Sequence, residues 1–383
     1  MPQDAPKIMI VAGEASGDMH GAGLAREIKK LVPDARLFGM GGSGMRAAGV
    51  ETLVDISGVA VVGISEVLAH FREIKSAFDR LRTALYEDKP KLIVLIDYPD
   101  FNLRLAKEAK KAGVGVVYYV SPQVWAWRRG RIKTIARLVD RMLVLFPFEA
   151  DMYKAAGVDA VFVGHPLLDT PAESRSRNEL ADAFGLDASR PIVGLLPGSR
   201  RKELAYHLPA MLGAYRVMKA AMPGLQAVVP VADTLTPADF APYMAGYDDV
   251  RLAGGDPDGV MALMDAGVVA SGTATLQVAL HGKPMVIIYR LSPVTYALGR
   301  LLIRVKNIGL ANLVLGYEAA PELIQGRATP GNISALLSRM ICDKAYGEAM
   351  GGKLGTVRGR LGGPGASQRA AMEVVRLLNQ WTL

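Results

Sequence analysis

The sequence predicts an α/β protein built from two doubly wound parallel-sheet domains in tandem. Three observations carry this. The chain has 383 residues, too many for one ordinary core. Short unbroken apolar runs alternate with helix-period segments, the pattern of parallel strands covered on both faces. The alternation lapses once, near the middle, and then begins again.

In the first half, residues 8–12 read as a strand, and Leu24, Ile28 and Leu31 mark one face of a helix that Pro33 ends. Short strands are expected at 36–38 and near 52–54, then a helix over about 64–85. The apolar run at 92–96 is a strand, 101–112 a helix, 115–120 a strand, and 141–146 another strand after a further helix. The stretch 166–186 is polar and aperiodic and reads as the interdomain linker. The second half gives strand 192–196, helix 203–220, strands 225–231 and 250–253, a short helix, strand 267–270, a helix from Ala274 and strand 284–289. The tail ASQRAAMEVVRLLNQW is an amphipathic helix with Ala370, Val374, Leu377, Leu378 and Trp381 largely on one side. Two such domains place a cleft between two rows of strand C-termini, where doubly wound sheets bind ligands.

Composition narrows the function. A formal charge of +8 without a dense basic run suits an anionic ligand or membrane surface better than nucleic acid. Cys342 is the only cysteine, which points to a reducing compartment, and the five histidines lack metal-ligand spacing. No apolar run approaches the roughly 18 residues of a membrane span, and the run at 8–12 meets Glu14 too soon for a signal peptide.

Several loops could carry chemistry. GEASGDMHGAG follows the first strand and offers Glu14, Ser16 and Asp18, with helix capping by Ser16 or Asp18 as the plainer role. GMGGSG at 39–44 matches a dinucleotide fingerprint in letters only: it is not in the opening βα unit, and no acid follows at the expected distance. LLPGSRRKEL places Gly198, Ser199 and Arg200 between a strand and a helix, and ASGTATLQVAL repeats the arrangement with Ser271, Gly272 and Thr273. Two helix starts ready for anions suggest a diphosphate, with Gln277 one turn on for sugar hydroxyls. The single D-x-D, Asp256 and Asp258, reads as a turn or cap. Arginine and helix dipoles can stabilise a leaving diphosphate, so no metal or other cofactor is expected. An apolar stripe with Val67, Leu68 and Phe71 either docks on its own sheet or lies on a membrane, and Trp125 and Trp127 sit among arginines at 128, 129 and 131. In LIVLIDYPDFN, Asp100 immediately precedes the helix expected at Phe101 and reads as its N-cap. Asp97 ends the strand facing the expected cleft, where a burial-raised pKa would suit a base.

Taken together, VAGEASGD, GMGG, VVGISEVL, IDYPDFN, YYVSPQVWAW, FPFE, VGHP, LLPGSR, SGTATL and PELI, in this order, resemble the lipid-A-disaccharide synthase family over nearly the whole chain. The resemblance implies a GT-B glycosyltransferase fold with two Rossmann-like domains. Residues 1–168 would bind acceptor and lipid, 169–355 the UDP-sugar, and 356–383 would return as a helix to the first domain. It implies transfer from UDP-2,3-diacylglucosamine to 2,3-diacylglucosamine 1-phosphate with inversion, giving a β(1→6) disaccharide 1-phosphate and UDP. The setting would be the cytoplasmic face of the inner membrane in Gram-negative bacteria, with a homodimer as one possible assembly. Asp97 matches the family's important aspartate, with Glu14, Ser16, Asp100 and Asn102 on the substrate side. Gly198, Ser199, Arg200, Ser271, Gly272, Thr273, Thr275, Gln277 and Asn312 match the UDP side, and Val67, Leu68 and Phe71 an acyl or membrane contact. The chain departs at Ala311, usually proline, and at Gln277, usually glutamate. The competing readings are another GT-B enzyme on a UDP-sugar (a peptidoglycan glycosyltransferase or an epimerase) and a non-catalytic nucleotide-sugar or lipid-binding protein.

Overall fold

A computed structural model describes residues 5–56, 71–122, 124, 130–171, 173–232, 234–292, 296 and 307–381. The chain forms two compact units, Met1–Thr170 together with Leu361–Leu383, and Pro171–Arg360.

The first unit is a seven-stranded parallel sheet: β1 (Lys7–Ala12), β2 (Arg36–Gly41), β3 (Glu51–Asp55), β4 (Leu92–Ile96), β5 (Gly115–Tyr119), β6 (Arg141–Val144) and β7 (Ala160–Phe162). The order β3-β2-β1-β4-β5-β6-β7 reverses direction between β1 and β4, which pair in register from Ile8↔Leu92 to Ala12↔Ile96. Chain connections therefore leave on opposite faces there, and the two strand ends bound the crevice of the sheet. All five residues of β4 are buried, as its unbroken apolar run requires. One face is covered by helices Phe71–Asp88, Pro99–Lys111 and Arg131–Leu138, through Ala77, Leu81, Leu105, Ala109 and Ile135 among others. On the other, helix Ala15–Leu31 packs against helix Ala366–Gln380, whose Ala370, Val374, Leu377 and Leu378 are buried. Asp169 anchors that last helix, accepting from the backbone N–H of Gly365, Ala366 and Ser367 at 2.7–3.0 Å. Arg141 adds ion pairs to Glu373 and Asp159, at 2.6 and 2.7 Å.

The second unit is a six-stranded parallel sheet: β8 (Ile192–Leu196), β9 (Gln226–Val231), β10 (Val250–Gly254), β11 (Ala266–Ala270), β12 (Met285–Tyr289) and β13 (Glu322–Ile324). Its order, β10-β9-β8-β11-β12-β13, reverses between β8 and β11. The loops at 197–200 and 271–273 thus emerge side by side at a second switch point.

Two expectations need correction, and a third falls partly outside the described residues. The stretch 166–186 is not all linker: Ser176 and Glu179 form a reciprocal capping box that starts helix Arg177–Phe184, and Gly185 ends it in the left-handed region. The second unit ends after Arg360, not 355, because the short helix Val357–Arg360 stays with it. Of the apolar stripe, Leu81 is buried and Ile74 and Phe78 pack on the core; Val67, Leu68, the Phe71 side chain and Trp125–Trp127 lie outside the described residues. Among the described residues no helix is long and apolar enough to cross a membrane.

Two buried histidines give the first unit a pH dependence. His20 lies edge-on to Tyr119, and His165 accepts from the Leu167 N–H through Nδ1. Burial pushes His20 down to about 4; burial, reinforced by His20, pushes His165 down to about 3 against the pull of Asp169. Between those values and about 6.5 the unfolded chain binds more protons, so stability falls as pH drops through this window and is unaffected above it. Each histidine contributes up to about 1.4 kcal/mol per pH unit. Urea unfolding at pH 7 and pH 5 should show a loss in the wild type that shrinks in His20→Gln and His165→Gln. Equal losses in all three would place the dependence elsewhere.

Candidate active site

At the first switch point the chain leaves β4 through two successive non-glycine residues in the left-handed region, Asp97 (φ 45°) and Tyr98 (φ 44°). The Tyr98 ring lies over Gly13, the first residue after β1, where an added Cβ would come within 2.3 Å of the ring. Gly13 is therefore needed for close approach. The next helix starts at Pro99, which as a first-turn residue has no N–H to leave unsatisfied. This overturns the expectation for Asp100: Tyr98 occupies the N-cap position, and Asp100 is an exposed first-turn acid paired with Arg131. There it also complements the helix dipole.

Asn102 is placed differently from expectation as well. It is 0% exposed, and its Nδ2 donates to Ile96 O at 3.1 Å and Asp97 O at 2.7 Å. It supports the turn from inside and does not present itself to a substrate. Glu14 is half-buried at the N-cap of helix Ala15–Leu31, and Ser16 is exposed in that helix's first turn. Burial, then the negative charges of Glu14 and Asp100, raises the Tyr98 hydroxyl's pKa. Asp97 similarly adds to burial in raising that of Tyr118. This strand end thus gathers Glu14, Asp97 and Asp100 around phenols that remain protonated.

The neighbouring glycine loop binds an anion that the chain itself supplies. Asp18 is buried and accepts from Gly42 N (2.6 Å), Gly44 N (2.9 Å) and Met45 N (3.1 Å). The donors that a pyrophosphate would need in GMGGSG are occupied by this carboxylate, so Asp18 caps the short helix Ser43–Ala47 and not its own.

In the second unit, Gly198 has φ +116°, and a Cβ there would meet Glu203 Oε2 at 2.1 Å. Glu203 Oε2 accepts from Ser199 N at 2.8 Å, and Thr234 donates to Ser199 O at 2.5 Å. Arg200 is the N-cap of helix Arg201–Ala221, its side chain about half exposed and 3.5 Å from Glu203. His207, on that helix, accepts from Arg290 N through Nε2 at 3.1 Å. Its Nδ1 therefore carries the proton and donates to Pro197 O at 2.9 Å. Burial lowers its pKa, which keeps the ring neutral. One side chain so ties the loop after β8 to the loop after β12.

The adjacent start, Ser271–Thr273, is the more open one. Ser271 Oγ donates to Ile308 O at 2.9 Å, and a Cβ on Gly272 would meet nothing within 4 Å. Among the described residues no side chain accepts from the first N–H groups of helix Thr273–Leu280. Gln277 is half-buried one turn on. Thr275 and Asn312, expected at the nucleotide, are instead interior. Thr275 is 0% exposed and its hydroxyl donates to Gly272 O at 2.8 Å. Asn312 is also 0% exposed: Nδ2 donates to Ala320 O and Glu322 Oε1, both at 2.8 Å, and Oδ1 accepts from Ala319 N and Ala320 N. Glu322 further accepts from Ile308 N (2.8 Å) and Gly309 N (3.0 Å). The two motifs ANLV and PELI hold each other in place. Asp256 caps helix Pro257–Leu263, and Asp258 pairs with His281 at 2.8 Å, so the D-x-D is committed to structure.

The sequence reading missed Glu203, His207 and Glu322 as builders of this end. The first left a trace, an acid three residues past the N-cap; His207 bonds to Arg290, 83 residues on, and Glu322 to a loop and helix 10–14 residues before it, neither of which a local pattern marks.

A family model described as lipid-A-disaccharide synthetase matches residues 8–352. A lipid-A-disaccharide synthase from Geobacter metallireducens is 51% identical over 375 residues, covering 98% of each chain. Another from Nitrosococcus oceani is 46% identical over 379 residues, covering 99% of this chain and 98% of the relative. Among solved structures, a UDP-GlcNAc 2-epimerase from Neisseria meningitidis superposes with a TM-score of 0.67 at 12% identity, covering 97% of this chain and 100% of that one. A glycosyltransferase of kitacinnamycin gives 0.60 at 18% identity, covering 98% and 99%. These remote likenesses establish the GT-B fold, which epimerases and transferases share. The near relatives and the family model go further: the chain belongs to the lipid-A-disaccharide synthase family, whose members are hexosyltransferases taking a UDP-sugar and a glycosyl acceptor.

Proposed function

We propose that this protein joins UDP-2,3-diacylglucosamine to 2,3-diacylglucosamine 1-phosphate, releasing UDP and the β(1→6) disaccharide 1-phosphate. The observation that carries the proposal is Asp97, at the end of a buried strand at a switch point, in a chain of this family. The Asp97 carboxylate takes the proton of the acceptor 6-hydroxyl as its oxygen attacks C1 of the donor sugar. The new C1–O bond forms on the face opposite the diphosphate, whose bond to C1 breaks with its electron pair, inverting the anomeric centre. Arg200 and the N–H groups at the start of helix Thr273–Leu280 stabilise the departing charge. The reaction so written runs without a metal ion. Gln277 holds the ribose through a neutral amide.

Both substrates carry acyl chains, and Val67, Leu68 and Phe71 are the residues assigned to them at the cytoplasmic face of a Gram-negative inner membrane. The net charge of +8 favours an anionic lipid surface.

Purified protein with both substrates in detergent should release UDP. No release, or equal release from UDP-GlcNAc alone, would overturn the assignment in favour of a binding protein or another UDP-sugar enzyme. Asp97→Asn should lower kcat by about 100- to 10,000-fold while UDP affinity stays within about twofold; lost affinity would make Asp97 structural. Gln277→Glu should tighten UDP binding about tenfold by restoring a charge-assisted bond, and an unchanged Kd in calorimetry would remove Gln277 from the ribose. Replacing Val67, Leu68 and Phe71 by serine should move the protein from the membrane pellet to the supernatant with an unchanged Tm. Retention in the pellet would rule these residues out as the anchor.

A further inference from the structure

We infer that Asn102 and Tyr118 are positioning residues that clamp the Asp97–Tyr98 turn and so aim the Asp97 carboxylate; the inference rests on the reading of Asp97 as the base. Consecutive non-glycine residues in the left-handed region are strained and persist only where their surroundings over-determine them. Here those surroundings can be named. Asp97 N–H still bonds to the sheet, donating to Tyr119 O at 3.1 Å. Its carbonyl then receives two donors at once: Asn102 Nδ2 at 2.7 Å and the Tyr118 hydroxyl at 2.5 Å. Asn102 also holds the carbonyl before it, Ile96 O. On the far side, the Tyr98 ring stacks on Phe101 with centroids 5.4 Å apart and covers Gly13.

Both clamping side chains are 0% exposed, so neither can touch a substrate in this arrangement. The Asn102 amide has its nitrogen on the two carbonyls and, among the described residues, its Oδ1 without a hydrogen-bond partner. An unsatisfied buried oxygen is destabilising, and a residue placed only for stability has no reason to keep it. The protonated Tyr118 phenol is a permanent donor. Together the two donors fix the peptide plane between residues 97 and 98, and with it the direction of the Asp97 Cα–Cβ bond. Without them that peptide is free to relax toward an unstrained conformation and carry the carboxylate with it. A shift of about 1 Å in a catalytic group costs on the order of 100-fold in rate.

The test is the kcat-against-KM split in Tyr118→Phe, which removes one oxygen and keeps the ring, and in Asn102→Leu. Both are assayed with the two diacyl substrates in detergent, beside Asp97→Asn. Tyr153→Phe is the control, since it deletes a comparably buried hydroxyl, bonded to Ser121 at 2.9 Å, elsewhere in the same core. The expected result is kcat down about tenfold in Tyr118→Phe and about 100-fold in Asn102→Leu. KM values and UDP affinity should stay within about twofold and Tyr153→Phe should keep wild-type kcat. If Asn102→Leu does not fold, Tyr118→Phe decides alone. Wild-type kcat in Tyr118→Phe, a raised KM at unchanged kcat, or an equal loss in Tyr153→Phe each overturns the clamp. If Asp97→Asn is inactive while Tyr118→Phe is fully active, the base stands and the clamp falls. If Asp97→Asn itself turns over normally, the base assignment falls first.

Discussion

In a parallel sheet every strand delivers its C-terminal end to the same edge, and each helix that follows begins there with unpaired N–H groups. Something has to satisfy each of these starts, and what does so decides where an external anion can bind. In this chain most are satisfied from within. Asp18 fills the glycine loop after β2, Glu203 takes the Ser199 N–H after β8, and Glu322 takes Ile308 and Gly309. Among the described residues the start at Gly272 has no carboxylate of its own, and Gly272 has open space where a side chain would be. The protein's own acids thus make one helix start in the second unit the natural place for a phosphate, beside an exposed arginine at the same switch point.

The supports beneath that place are neutral or internally compensated. His207 is kept uncharged by burial and fixed in one tautomer by Arg290 N–H and Pro197 O, so it joins two loops without adding a charge beside them. Asn312 and Glu322 satisfy each other and five backbone groups of the 308–320 region. Groups held this way do not reorganise when charge develops, which is how fixed dipoles act more strongly than water.

The same networks explain what was legible in the sequence. Buried parallel strands are read from unbroken apolar runs, and nearly every strand from β1 to β12 was legible because its burial leaves that mark. β7 and β13, three residues each, are too short to leave it. The helix at Arg177–Phe184 was passed over because its flanks are polar, although S-x-x-E at Ser176 and Glu179 announces its start. Asp100 was misassigned because the aspartate was weighed as a cap before the proline at position 99, which already marks the helix start. For Asn102, Thr275 and Asn312 the interior partners are not legible, because a polar residue in a loop motif looks the same whether its partner is a ligand or a carbonyl. Only the fold decides: the partners of Asn312 lie 7–10 residues further along the chain, in a turn and a strand whose approach no local pattern marks. The position of Asp97, though not its role, was legible for the opposite reason: it follows five residues that admit no polar group.

The two switch points meet opposite electrostatic demands. In the proposed reaction one has to accept a proton, and it collects Glu14, Asp97 and Asp100 around phenols whose own protons are held by burial and by those same charges. The other, in the same proposal, receives the leaving diphosphate, and it offers Arg200 and helix N–H groups with its nearby histidine kept neutral. Backbone strain falls on the first. An arginine reaches a phosphate through a long side chain that can adjust its direction, whereas an aspartate has two torsions and takes its direction largely from the backbone. A short base therefore has to be aimed by the main chain. That is a physical reason for two strained residues at the end of β4, where every main-chain donor and acceptor of Asp97 is held by a named partner.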